Sequence, residues 1–218
     1  MAITTPLLDN FNRPDESPLG NGDWSGDIRT TRDLDLETEE VRDDNSGGNP
    51  CDSLWTNSTF GAGNLEVYTT VSTLTTATTS RAYLYNRILQ AGVGTSDGYL
   101  LLLKGAGGSG QNFQLYEMTN GALTTVGALH TTAVSSGDII GLRHDDAGGA
   151  DNIEVDLNGT VIFTRTDNTH TGTANIGLGV RNGNTRVDDF GGGLVTGGVS
   201  VTLLQMQNHL RFSNSSFA

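Results

Sequence analysis

Ile153-Glu154-Val155-Asp156-Leu157-Asn158-Gly159-Thr160-Val161-Ile162-Phe163 is the stretch that decides the fold class. Apolar and polar residues alternate with a period of two, so Ile153, Val155 and Leu157 share one face and Glu154 and Asp156 the other. A half-buried strand of an antiparallel sheet has this pattern. Asn158-Gly159 supplies the positive φ angles of a tight hairpin turn, and Val161 and Phe163 are expected to return on the apolar side.

Working outward, the same grammar recurs. Gln111 to Met118, Asn120-Gly121 and Ala122 to Leu129 read as a second hairpin. Ile139 to His144, Asn175 to Val180 and Arg186 to Phe190 read as further strands. Tyr99 to Leu103 is apolar throughout, as expected of a central strand covered on both faces. Asn21-Gly22, Asp97-Gly98 and Asn182-Gly183 mark further chain reversals. The Thr-rich stretch Thr69 to Ser80 reads as a strand with a solvated face followed by a loop. No long 3.6-period segment appears, and many short strands with turn signals predict an all-β, antiparallel jelly-roll β-sandwich.

Nothing within the 218 residues reads as a linker. One domain over residues 1–193 is expected, with 194–218 as a C-terminal extension: after Gly191-Gly192-Gly193, a last apolar segment, Val199 to Met206, would cover a sheet edge or reach a neighbour. Asp and Glu number 25 against 12 Lys and Arg, a net charge of −13. Nucleic acid and anionic membranes are therefore disfavoured as partners. No apolar run approaches the ~20 residues of a membrane span. Met1 to Asn10 lacks the basic start and apolar centre of a secretion signal. Cys51, the sole cysteine, rules out an intrachain disulfide.

The ordered set Gly137-Asp138-Ile139-Ile140-Gly141-Leu142, Ile153 to Gly159, Asn175-Ile176-Gly177-Leu178-Gly179 and Val187-Asp188-Asp189-Phe190-Gly191-Gly192 resembles the second half of concanavalin A-like, laminin-G-like jelly rolls. Asp9-Asn10-Phe11-Asn12-Arg13-Pro14, followed by Pro18-Leu19-Gly20 and Trp24, resembles the start of such domains in tailed-bacteriophage virion structural proteins. The resemblance implies that the first and last core strands adjoin. It also implies a structural calcium ion held by Asp9, Asp188 and Asp189, against the plainer reading that these acids cap turns.

Catalysis finds little support. The Glu-x-Asp-x-x-Glu signature of laminarinase-like enzymes is absent. The nearest lookalike, Asp33 to Glu40, places Asp33, Asp35, Glu37 and Glu39 on one face if extended, opposite Leu34 and Leu36. A solvated face is the plain reading; an acidic interface or cation site is the sharper one. His130, His144, His170 and His209 show no ligand spacing. For glycan binding, period-two alternation puts Tyr83, Tyr85 and Arg87 on one stripe, while Trp24 and Trp55 are expected in the core. Two functions follow. One is a non-enzymatic virion-surface protein for capsid decoration or the tail, assembled in the host cytoplasm as a homo-oligomer with other virion proteins. The other is a calcium-assisted carbohydrate-binding module that recognises a cell-surface glycan.

Overall fold

The computed structural model describes residues 3–20, 22–26, 28–29, 32–43, 49–75, 77–89, 94–105, 111–182 and 184–195. Its strands run β1 Leu7–Asp9, β2 Trp24–Gly26, β3 Leu34–Glu37, β4 Glu40–Asp43, β5 Cys51–Trp55, β6 Asn64–Thr73, β7 Arg81–Leu89 and β8 Asp97–Lys104. They continue with β9 Gln111–Thr119, β10 Ala122–Thr125, β11 His130–Thr132, β12 Ile139–Asp145, β13 Ile153–Leu157, β14 Thr160–Arg165, β15 Asn175–Arg181 and β16 Arg186–Leu194. Among the described residues there is no helix, and so none long and apolar enough to cross a membrane.

Two antiparallel sheets form the sandwich. One has the order β14-β13-β12-β6-β16-β4-β3, with β1 also on β16; the other has β10-β9-β8-β7-β15-β5-β2, with β11 also on β9. The all-β jelly-roll expectation holds. Asp9 pairs with Phe190, so the first and last strands do adjoin. Residues 196–218, which include the apolar segment Val199 to Met206, lie outside the described residues.

The main core lies between the sheets. Val67, Leu142 and Val155 of the first sheet meet Leu84, Leu101, Leu103, Phe113 and Leu178 of the second. Each such fully buried side chain is worth about 1.5–3 kcal/mol relative to exposure. Trp24 packs edge-on against Trp55 at 5.3 Å and against Phe190 at 4.8 Å, as the core reading of both tryptophans expects. Because β8 is central, its alternate residues Leu100 and Leu102 enter a second buried cluster with Ile28, Leu54, Tyr83, Tyr85, Ile88 and Met118. The run Tyr99 to Leu103 is thus covered on both faces.

The decisive hairpin forms with Asn158 at φ 53° and Gly159 at φ 73°. One detail differs from the alternation. Val155 pairs with Phe163 but Asp156 with Val161, leaving Ile162 as a bulge. Ile162 and Phe163 pack on the core, while Val161 lies opposite Asp156. Asp97-Gly98 is not a reversal; both residues belong to β8, where Gly98 accommodates the neighbouring strand at close range.

Candidate functional site: an acidic cleft beside the β3–β4 hairpin

The acidic run folds back on itself. Thr38 and Glu39, at φ 55° and 65°, turn β3 into β4, a left-handed conformation that β-branched threonine seldom adopts. An anchor distant in sequence holds it: the Thr38 amide donates to Asp15 Oδ1 at 2.8 Å. Leu34 and Leu36 are buried in the core, which sends Asp35 and Glu37 to the other side, as alternation predicts. Glu39, however, sits in the turn and leaves that stripe.

The segment before β2 builds the opposite wall. Glu16 and Leu36 exchange backbone hydrogen bonds at 3.0 and 2.9 Å, and the Leu19 amide donates to the Leu34 carbonyl at 2.6 Å. The chain from Asp15 to Leu19 therefore lines the outer edge of β3. Between it and the hairpin lies a cleft of about 190 Å³, walled by Asp15, Glu16, Ser17, Asp35, Glu37 and Arg42. A shallower concavity of about 600 Å³ adjoins it across Asp15.

Most charges here are already matched. Glu16 accepts from Arg13 Nε at 2.9 Å and from the Gly20 amide at 3.2 Å. Glu37 Oε2 lies 3.0 Å from both Arg42 and Arg186, and Arg186 also reaches Glu40 at 3.3 Å. Asp35 is the exception. It lines the cleft at 9% exposure, and among the described residues no hydrogen-bond or ion-pair partner meets its carboxylate. Arg42 Nε, across the same ladder rung, is buried and also unmet. A buried donor without a partner and a carboxylate that opens on the cleft without one are an arrangement that a polar ligand would complete.

The stripe expected to meet a sugar at Tyr83, Tyr85 and Arg87 is buried rather than open to solvent. The three are 2%, 0% and 1% exposed. Tyr83 and Tyr85 lie beneath Arg29, whose guanidinium sits 4.4 and 5.3 Å from their ring centres. Asp52 completes that buried network, accepting from the Ile28 and Arg29 amides, from Arg29 Nε and from the Tyr85 hydroxyl at 3.0–3.2 Å. Burial pushes the Asp52 carboxyl up, against the lowering charge of Arg29. Arg87 leaves the stripe because it takes φ 57° at a bulge in β7. Its guanidinium then satisfies carbonyls of Gly61, Gly63, Gly172 and His144.

Of the expected calcium ligands Asp9, Asp188 and Asp189, the first two already accept from protein donors. Asp9 Oδ1 takes the Phe11 amide at 2.9 Å and Arg13 at 2.6 Å, and Oδ2 takes the Trp24 indole at 2.8 Å. Asp188 Oδ1 takes the Asp189 amide at 2.7 Å. Among the described residues no group of three or more His, Cys, Asp or Glu is placed to hold a metal. Asp9 caps a turn and pins an indole, and Asp188 holds the amide of Asp189.

No protein-family profile and no curated protein sequence matches this chain. Solved structures do. Carbohydrate binding module CBM66 from Bacillus subtilis aligns at 14% identity over 77% of this chain and 91% of its own, with a TM-score of 0.53. The potassium-bound carbohydrate recognition domain of Emp46p aligns at 9% over 87% and 97%, TM-score 0.57. A legume lectin-like domain from Entamoeba histolytica aligns at 8% over 80% and 91%, TM-score 0.57. A glycosidic hydrolase shares the architecture too, at 12% identity, 88% and 96% coverage and TM-score 0.52. The chain has the lectin-like jelly-roll fold, and at these identities the likeness is one of fold alone.

Proposed function

We propose that this chain is a non-catalytic carbohydrate-binding domain and that the β3–β4 cleft receives the sugar. The observation that carries the reading is Asp35, 9% exposed, lining the cleft without a partner among the described residues, on the same ladder rung as Arg42, whose buried Nε is also unmet. A carboxylate accepts from hydroxyl groups, and a guanidinium N–H donates to a sugar oxygen. The sugar-binding neighbours on this fold lend support, and the fold's hydrolase is the reason to test for cleavage as well. The virion reading draws on the N-terminal resemblance and on the apolar segment after Gly193, so a virion surface is a setting for this function rather than its evidence. Self-association through Val199 to Met206 belongs to that same setting.

The test is a glycan panel probed with the full chain and with Asp35→Ala, with the products analysed for cleavage. Saturable binding that weakens at least tenfold in Asp35→Ala, with the glycan intact, is expected. No glycan bound, or binding indifferent to Asp35, would overturn the site; cleavage would overturn its non-catalytic character.

A further inference from the structure

We infer that the sugar taken by this cleft carries a protonated amine, an inference that rests on reading the cleft as a sugar site. Its walls present four carboxylates, Asp15, Glu16, Asp35 and Glu37, against the single guanidinium of Arg42. Outside the cleft, Arg13 is engaged by Asp9 and Glu16, and Arg186 by Glu37 and Glu40. The adjoining concavity is lined by the Glu39 carboxylate and the Arg13 guanidinium.

Asp35 gives this charge a focus. The Asp35 side chain is 9% exposed and has no partner among the described residues, so part of its lost hydration is left unreplaced, which a neutral hydroxyl offsets only in part. An ammonium group offsets it further, because it adds the attraction of opposite charges to the charge-assisted hydrogen bond that a hydroxyl also makes to a carboxylate. Arg42 Nε remains for a ring or hydroxyl oxygen of the same sugar. A bare metal ion is the wrong cation, since it needs several oxygen ligands at once and none of the described residues are grouped to supply them. The chain's net charge of −13 attracts a cationic ligand from a distance as well.

The experiment is calorimetric titration of the full chain with a glucosamine oligomer and with its N-acetylated counterpart of equal length. It is run at low and high salt, with wild type and Asp35→Asn, whose folding is checked by thermal melting. The amine form is expected to bind at least tenfold tighter, about 1.4 kcal/mol, with the preference shrinking in salt and vanishing in Asp35→Asn. A preference that persists at a pH where the amine is neutral would overturn the inference, and this arm needs no variant. Equal binding of both oligomers, weakened alike in Asp35→Asn, overturns the amine while leaving a sugar site. If neither oligomer binds but the panel yields a neutral glycan dependent on Asp35, the amine again falls and the proposed function survives. If nothing binds, both fall.

Discussion

Asp156 and Glu66 project from the same face of the first sheet, yet their carboxyl groups shift in opposite directions. Burial pushes Asp156 up to about 6; the Gly159 amide opposes this and the charge of Glu66 adds to it. Burial would raise Glu66 too, but hydrogen bonds from Thr5 and Arg143 win and hold it below the usual carboxylate range. For Asp156, the folded state binds its proton more tightly than the unfolded chain does. Stability is therefore lost as pH rises from the ordinary aspartate range through about 6, and the cost stays constant above that. Asp156→Asn keeps an acceptor for Gly159 and removes the charge. It should melt with wild type near pH 4 and be more stable by about 1–2 kcal/mol at pH 7, a difference that thermal melts across pH would read. For Glu66 the sign reverses: its contribution is present at neutral pH and is lost as pH falls through its lowered folded value. Glu66→Ala also takes from Arg143, itself 3% exposed, its most buried carboxylate and keeps Glu154 at 3.3 Å. Chemical denaturation at pH 7 should show a loss of about 3–5 kcal/mol, the range for breaking a buried ion pair from one side.

Strands and turns show what could be read from the sequence and what could not. The Asn158-Gly159 and Asn120-Gly121 hairpins were legible because their conformation is written in adjacent residues. The Thr38-Glu39 turn was not, since neither residue favours positive φ and the hydrogen bond that holds it comes from Asp15, 23 positions earlier. That is also why the acidic run could be read as a solvated face while the cleft stayed hidden: its second wall is a distant segment. The β7 bulge is the same kind of case. Arg87 departs from the tyrosine stripe because Gly98 on β8 leaves it room; a Cβ there would lie 2.7 Å from the Arg87 carbonyl oxygen and 2.6 Å from Ile88 Cδ1. Gly98→Ala is expected to cost about 2–3 kcal/mol through overpacking and its φ of +142°. Gly137→Ala is the control, with a φ of +89° but nothing within 4 Å, and should cost only about 1 kcal/mol. Urea unfolding of the two variants side by side separates crowding from backbone strain.

At the scale of the molecule, the pairings join distant parts of the chain: β1 to β16, β6 to β16, and β5 to β15. Loop-closure entropy must be met before such contacts form, so the sandwich should fold slowly, in milliseconds to seconds. Cys51 offers a probe of how cooperative the result is. It lies fully buried on β5 within the main core and forms no disulfide. On one side β5 is covered by β15, which pairs with Cys51; on the other, its residues Ser53–Trp55 pair with β2, an edge strand of only three residues, Trp24–Gly26. Hydrogen bonding alone would let so short an edge fray. Yet Trp24 is clamped there by Trp55, Phe190 and the Asp9 carboxylate, the last two from the opposite sheet. Opening β2 therefore means breaking the junction between sheets, and the thiol should become reactive only when the whole sandwich opens. Labelling by a thiol reagent at neutral pH should match the unfolding rate from tryptophan fluorescence, which reports that same junction. Labelling more than tenfold faster would mean that the edge opens by itself and that the aromatic clamp does not tie the sheets into one cooperative unit.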